Sequence, residues 1–377
     1  MKKGWQTKTL AEVCQIKPPK SEARDKVSAS SLVSFLPMED MGIDVKSVQA
    51  TQTKPLSAVV GSYTYFADGD VLLAKITPCF ENGKLGIADG LKNGIGFGSS
   101  EYFVFRPDPT VSKEWLYYFL SRETFRLEGA ARMSGAVGHK RVSKEFIEEY
   151  PIPVPPLAEQ QRIVGLLDEA FEGLATAKAN AEKNLQNARA LFESHLHVEH
   201  AEKAVLGDLV NIKTGKLDAN AAVEGGKFPF FTCSRDIFAI DTFAFDCEAI
   251  LLAGNNAVGD FNVKHYNGKF NAYQRTYVIT VNEKKRVLYR FLYFQMLKSL
   301  KKFKAQSVGA GTKFLKLGMI KELEIELPSL DEQQRIVSTM DAVREETQRL
   351  ARLYERKHAA LDSLKKSLLH QAFTGEL

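Results

Sequence analysis

Leu157-Ala158-Glu159-Gln160-Gln161-Arg162-Ile163-Val164 returns 173 residues later as Leu330-Asp331-Glu332-Gln333-Gln334-Arg335-Ile336-Val337. Seven of the eight positions are identical, more than composition produces, so the chain carries an internal repeat. The same shift takes Gly138-His139-Lys140-Arg141-Val142 onto Gly311-Thr312-Lys313-Phe314-Leu315, Pro155-Pro156-Leu157 onto Pro328-Ser329-Leu330, and Leu191 onto Leu364. Upstream the shift grows to 196, where Thr9-Leu10-Ala11-Glu12-Val13-Cys14-Gln15-Ile16-Lys17 resembles Val205-Leu206-Gly207-Asp208-Leu209-Val210-Asn211-Ile212-Lys213. The first copy therefore holds about 23 extra residues, placed within Pro18–Ala58.

The repeated octapeptide opens a proline-free stretch, Leu157 to His197, rich in good helix formers. Pro151, Pro153, Pro155 and Pro156 stand just before it, where an extended segment ends and a helix begins. Apolar residues then recur at steps of three and four: Ile163, Leu167, Ala170, Leu174, Ala177, Ala181, Ala188 and Leu191 in the first copy. In the second the seam is Ile336, Met340, Val343, Leu350, Tyr354, Leu361, Leu364 and Leu368. A helix of about 40 residues is roughly 60 Å long, and alone it would leave its seam wet. The other copy is the nearest partner, and an average step of 3.5 predicts a left-handed coiled coil. Polar residues at the matching positions Asn184 and Lys357 would fix its register. The alternative is that each helix packs only on its own globular unit. The helix-pair interface is expected at Ile163, Leu167, Leu174, Leu191, Ile336, Met340, Leu350, Leu361 and Leu364.

The stretches before each helix read as mixed α/β. Asp70–Ile76 and Glu101–Phe105 predict strands, matched by Ala249–Ala253 and Gln274–Ile279; Glu114–Phe125 and Leu288–Phe303 predict amphipathic helices. The fold class is therefore α+β, in four parts: globular regions at 1–150 and 201–327, long helices at 151–200 and 328–377.

Bulk properties exclude several classes. Hydrophobic content of 44% and charged content of 26% are those of a globular protein. No run of 18 apolar residues predicts a membrane span, and the start lacks a leader-like apolar stretch, so a cytoplasmic protein is expected. Cys14, Cys79, Cys233 and Cys247 form no C-x-x-C pair and read as small buried hydrophobes. His195, His197 and His200 cluster but do not share one helix face, and read as a solvated helix end. No phosphate-binding loop, dinucleotide fingerprint, zinc-protease or serine-nucleophile motif is present, and no Asn-Pro-Pro-aromatic motif of adenine methyltransferases. Catalysis, metal and cofactor sites are thus not expected in this chain.

Polar binding chemistry remains. The formal charge of +5 is modest, but Lys213 to Lys316 carries 17 basic against 8 acidic residues, whereas 1–150 carries 20 against 18. A polyanion partner is expected, most visibly for the second half. Ser134–Arg141 and Ser307–Lys313 are matching Gly-rich basic loops, where glycine lets backbone N–H groups approach a phosphate. By position in these loops and neighbouring turns, the expected DNA contacts are Lys75, Lys84, Ser134, His139, Lys140, Arg141, Asn255, Lys304, Thr312 and Lys313.

Pro151 to Val164, its echo at Pro328 to Val337, the opening Trp5-x-x-x-x-Leu10-x-x-Val13-x-x-Ile16 and the ending Leu368–Leu377 resemble the specificity subunits of type I restriction-modification enzymes. The resemblance implies two target-recognition domains, each reading one half of a split site on double-stranded DNA. It implies two long helices forming an antiparallel coiled coil in a pseudo-two-fold repeat. It also implies two methyltransferase (modification) subunits and restriction/translocase subunits as partners, with S-adenosylmethionine, ATP and Mg2+ on those partners. A regulator that binds the modification subunits without reading DNA is the other reading.

Overall fold

The computed structural model describes all residues except Met1, Lys3, Val137, 195–200 and 283–285, and within the first long helix omits the side chains of Ala188, Arg189 and 191–194. His195, His197, His200 and the Leu191 side chain lie outside the described residues. The chain forms two compact units: Met1–Ala179 with Arg356–Leu377, and Asn180–Glu355.

Both units are built on one strand order. The first has a five-stranded sheet in the order Cys14–Ile16, Tyr102–Pro107, Val71–Ala74, Leu85–Ala88, Ser47–Val48. The second begins in the same way with Val210–Thr214, Thr276–Val281, Phe245–Ala253 and Val263–Ala272, then adds Phe228–Phe231 and Phe238–Ile240. Val71-Leu72-Leu73-Ala74 is buried throughout, because both faces of the sheet are covered, so it reads as a continuous apolar run instead of an alternating one. Tyr102–Pro107 pairs with it antiparallel, setting Val104 against Leu72; in the second unit Val278 faces Leu251.

The extra residues of the first copy supply two strands of a second, four-stranded sheet. Leu32–Leu36 and Gln52–Pro55 lie in it with Ile95–Gly98 and Thr64–Ala67. Its core of Val33, Phe35, Tyr65 and Phe97 is separate from the main one. The helix expected over Glu114–Phe125 is two helices, Lys113–Leu120 and Glu123–Ala131. Arg122, at φ −62° and ψ 137°, is extended and breaks it, and the Ser121 hydroxyl turns back to donate to the Tyr118 carbonyl at 2.8 Å. Of the four cysteines only Cys14 is fully buried, and burial pushes its thiol up to about 12.

The prolines before each long helix belong to a strand or its exit. Pro151–Val154 pairs with Gln6–Thr9, as Glu324–Leu327 pairs with Glu202–Val205. The helices follow at Leu157–Ser194 and Leu330–Thr374. Each residue of the repeated motif now has a place. Glu159 and Arg162 form an exposed i,i+3 ion pair at 2.7 Å, as Glu332 and Arg335 do. Gln160 and Gln333 are fully buried and point into the globular part. Ile163, Val164 and Leu167 join the core of the first unit; Ile336, Val337 and Met340 join that of the second.

Within the first unit the two long helices run antiparallel. Arg162 donates to the Leu377 carbonyl at 2.9 Å, and further along Lys178 pairs with Asp362. Leu174 and Leu361 line one groove of about 360 Å³, Leu350 is half-buried, and Leu364 is 47% exposed. The second helix ends inside the core of this unit: Phe373 lies 4.4 Å from Trp115 and 5.3 Å from Phe119, ring centre to ring centre, with Leu369 and Ala372 buried beside it. The architecture is α+β, with two mixed α/β regions and a long antiparallel helix pair.

Candidate nucleic-acid interface

The two Gly-rich basic loops are the same hairpin built twice. In the first unit Ser134 and Arg141 exchange backbone hydrogen bonds of 3.1 and 2.9 Å. In the second Val308 and Phe314 do so at 3.2 and 2.8 Å, closing a loop one residue shorter. Each hairpin is strapped to the end of the equivalent central strand. Val142 donates to the Lys75 carbonyl at 3.0 Å and Thr77 to the Lys140 carbonyl at 2.9 Å; Leu315 donates to the Gly254 carbonyl at 2.9 Å. Asn255 and Asn256 pair with Phe314 and Lys313.

The glycines close these hairpins. Gly135 has φ +126° and Gly309 φ +116°, and a Cβ there would stand 2.9 Å from the His139 carbonyl oxygen and 2.0 Å from that of Thr312. Both conformations and both approaches require glycine. Gly309→Ala is expected to cost about 1–3 kcal/mol, spent on opening the hairpin. Amide exchange should quicken at Phe314 and Leu315 and stay unchanged at Ala249–Ala253; equal protection at all of them would contradict this assignment.

In the first unit the hairpin walls a groove of about 450 Å³. Lys17, Lys20, Lys75, Arg141 and Lys144 line it with Tyr63 and Phe103, and no carboxylate is among the lining side chains described. A region that is nearly neutral overall thus places five of its basic side chains around one groove. Lys17 holds a left-handed φ of +61°, and Lys20 donates to the Gly61 carbonyl at 2.9 Å. Burial holds the Lys75 ammonium below the ordinary lysine range, and it lies 5.7 Å from the Phe103 ring centre. Arg141 is committed on one side: its Nη2 and Nε donate to Glu101 at 2.8 and 2.9 Å. Ser134, His139 and Lys140 are exposed on the hairpin. Lys84 lies apart from the groove lining, its ammonium donating to the Met38 carbonyl at 2.7 Å.

In the second unit three side chains converge over the backbone of Gly259, which has φ +73°. A Cβ there would meet Lys304 Cγ at 3.4 Å, and Lys313 Cγ and Ser307 Oγ at 3.5 Å. The turn beneath them is held by Asn256, whose Oδ1 accepts from Val258 at 2.9 Å and Asp260 at 3.0 Å. Asp260 pairs with the exposed Arg235 at 2.6 Å, which holds its carboxyl below the usual range. The Arg275 guanidinium lies 5.3 Å from the Phe314 ring centre. Thr312 is half-buried and Lys304 exposed. Each unit thus offers fixed cations, amides and rings around one hairpin, the residue types that hold phosphates and touch base edges.

Sequence reasoning missed Lys17, Lys20, Lys144, Tyr63, Phe103 and Arg235. Lys17-Pro18-Pro19-Lys20 carried a signal, two lysines around a rigid turn beside a strand, but only the fold brings it next to Lys75 and Arg141. Among the described residues no group of three or more His, Cys, Asp or Glu side chains could hold a metal ion, and no helix is long and apolar enough to cross a membrane.

Comparisons with known proteins bear on this site. The family described as "Type I restriction modification DNA specificity domain" matches residues 2–185 and 199–355. The specificity subunit of the type I restriction enzyme EcoAI from Escherichia coli is 39% identical over 162 residues, which are 43% of this chain and 27% of that subunit. That of EcoDI, also from Escherichia coli, is 39% identical over 172 residues, 46% of this chain and 37% of that subunit. The matches to these curated relatives thus span about a quarter to a third of their length. A solved chain from a study of complex assembly and conformational transition of the type I R-M system superposes with a TM-score of 0.80 at 18% identity, covering 100% of this chain and 99% of that one. The HsdS subunit from Thermoanaerobacter tengcongensis gives 0.62 at 17% identity, covering 100% and 98%. At such identities the structural likeness is one of fold.

Proposed function

Because the chain belongs to the type I restriction-modification DNA specificity family, we propose that it is the noncatalytic subunit that gives such an enzyme its DNA sequence specificity. The observation that carries this is the duplicated hairpin: one frame, kept by glycine and strand pairing in both units, presents two unlike sets of side chains. In this reading target-recognition domains at 1–150 and 201–327 each contact one half of a split, asymmetric site on double-stranded DNA. The helices at 151–200 and 328–377 set the gap between the halves and dock two methyltransferase subunits. S-adenosylmethionine, ATP and Mg2+ belong to the methyltransferase and restriction/translocase partners, and the assembly works in the cytoplasm. Different charge in the two domains predicts different halves, not a palindrome.

Selection from random duplexes tests it. The chain, complexed with its modification subunits, is expected to enrich two unlike short sequences separated by a fixed gap. A pool that emerges without enrichment would favour a regulator that binds those subunits and reads no DNA. Methyl transfer by the chain alone would overturn the noncatalytic reading.

A further inference from the structure

In each unit one buried glutamine fastens the globular part to its own long helix. In the first unit Gln160 Oε1 accepts the Ser112 N–H at 2.9 Å, and its Nε2 donates to the carbonyls of Thr110 at 2.8 Å and Pro155 at 2.9 Å. In the second, Gln333 Oε1 accepts the Leu288 N–H, and its Nε2 donates to the carbonyls of Arg286 and Pro328, all at 2.9 Å. Both side chains are fully buried. Each grips the turn that leads into the main helix of its globular part.

Eight residues further along, a second polar attachment recurs at equivalent positions. Asp168 accepts from Lys46 at 2.7 Å and from the Tyr118 hydroxyl; Asp341 accepts from Arg290 Nε at 2.9 Å and from its Nη2. Lys46 comes from the extra segment of the first copy and Arg290 from a helix of the second, so different donors serve one position. Between the attachments lie the buried apolar residues Ile163 and Leu167, or Ile336 and Met340.

Apolar contact is not directional, and such a surface alone would let a helix slide or roll. Hydrogen bonds require angle and distance, and breaking those of the buried glutamines leaves unpaired groups, whereas the aspartates, 44% and 41% exposed, add direction more than stability. Two attachments about 12 Å apart along a helix fix both the position and the direction of whatever is attached. The glutamines also contribute to stability, since an apolar residue of similar volume would fill the space but leave one backbone N–H and two carbonyls unpaired in each unit.

We infer that Gln160 with Asp168, and Gln333 with Asp341, are positioning residues that set the angle of each DNA-reading domain on its helix. They thereby determine how strictly the protein measures the gap in a split site. This rests on the split-site reading proposed above. One added base pair moves a half-site by about 3.4 Å and turns it by about 35°, so only a rigidly mounted pair of domains can reject it.

The test uses the complex with its modification subunits and a duplex series carrying the selected halves at the preferred gap and at one or two base pairs more or fewer. The wild type is expected to lose at least ~10-fold in affinity for a one-base-pair change, about the cost of a mismatched contact. Gln160→Met and Gln333→Met are each expected to stay within about 3-fold at the preferred gap while the one-base-pair penalty falls below about 3-fold. A penalty as steep as in the wild type overturns the inference, and so does an equal loss at every gap, which marks a structural role only. A wild type that reads both halves but ignores the gap overturns it too. A wild type with no split motif removes the functional reading itself, and the inference with it. Where a methionine variant does not fold, Asp168→Asn and Asp341→Asn carry the same readout, with the smaller change in gap penalty expected of retained shape.

Discussion

Arg106→Met is expected to destabilise the first unit by about 3–5 kcal/mol, because it strands a buried carboxylate. Asp70 is 1% exposed. Arg106 meets it with two parallel bonds, Nε to Oδ1 and Nη2 to Oδ2, both 2.8 Å, and turns Nη1 to Glu22 at 2.7 Å. Tyr65 donates its hydroxyl to the same Glu22 at 3.1 Å. The network ties the main sheet, through Asp70 and Arg106, to the extra segment and second sheet, through Glu22 and Tyr65. Without the guanidinium, Asp70 keeps only the Ala67 N–H, which it accepts at 2.8 Å. Burial already raises the Asp70 carboxyl above the ordinary range, against the pull of Arg106. In the variant only the Ala67 N–H still opposes that rise.

The sign of the pH dependence follows. A carboxyl whose folded value lies above its unfolded one holds its proton better when folded, so what it contributes is present at low pH and lost as pH rises through the folded value. The deficit of Arg106→Met should be smallest near pH 4, about the ordinary aspartate value, and grow toward neutrality. Urea titrations at two pH values, with amide exchange over Thr64–Pro107 assigning the transition, measure it. Adding Asp70→Asn to Arg106→Met should recover most of the loss, since the amide oxygen still accepts from Ala67 and no charge is buried. A single variant as stable as the wild type at neutral pH would mean that the pair contributes nothing.

How much of this was legible in the sequence depends on where the partners of each residue lie. The repeat, the long helices and the central strands could be read because periodicity and identity are local. Gln160 could not: a glutamine after a glutamate on a helix reads as solvent-facing, and the groups that bury it come from Thr110 and Ser112, about 50 positions away. Phe373 keeps the helical spacing of a spacer residue, yet its ring packs on Trp115 because the helix ends in a core built from the other end of the chain. The hairpin glycines were legible as glycines but not in their role, since only the return of the chain brings the Thr312 carbonyl against Gly309. The groove of the first unit was least legible, since Lys17, Lys75 and Arg141 are assembled from three separated segments.

The second large effect concerns Lys304 and Lys313. Both reach over Gly259 from different elements, the end of a helix and the closing strand of the hairpin, so their positions are set by the fold as well as by charge. If both ammonium groups sit on phosphates, Lys304→Ala with Lys313→Ala should weaken DNA binding on the order of 100-fold, at about 1.5 kcal/mol per charged contact. The slope of log K against log salt should fall by about 2, close to 0.9 for each phosphate no longer neutralised. Fluorescence anisotropy of the complex across a salt series reads both quantities. Lys84→Ala is the control, since its ammonium is already committed to the Met38 carbonyl, and its slope should not change. The pattern across sequences then separates two roles. A loss that is uniform over all half-site variants marks phosphate contacts, whereas one that appears only with the preferred bases of one half marks a base edge. An unchanged slope with unchanged affinity would remove the hairpin of the second unit from the DNA interface. The duplicated frame would then be a structural clasp, and the reading surface would have to be sought elsewhere on the sheet.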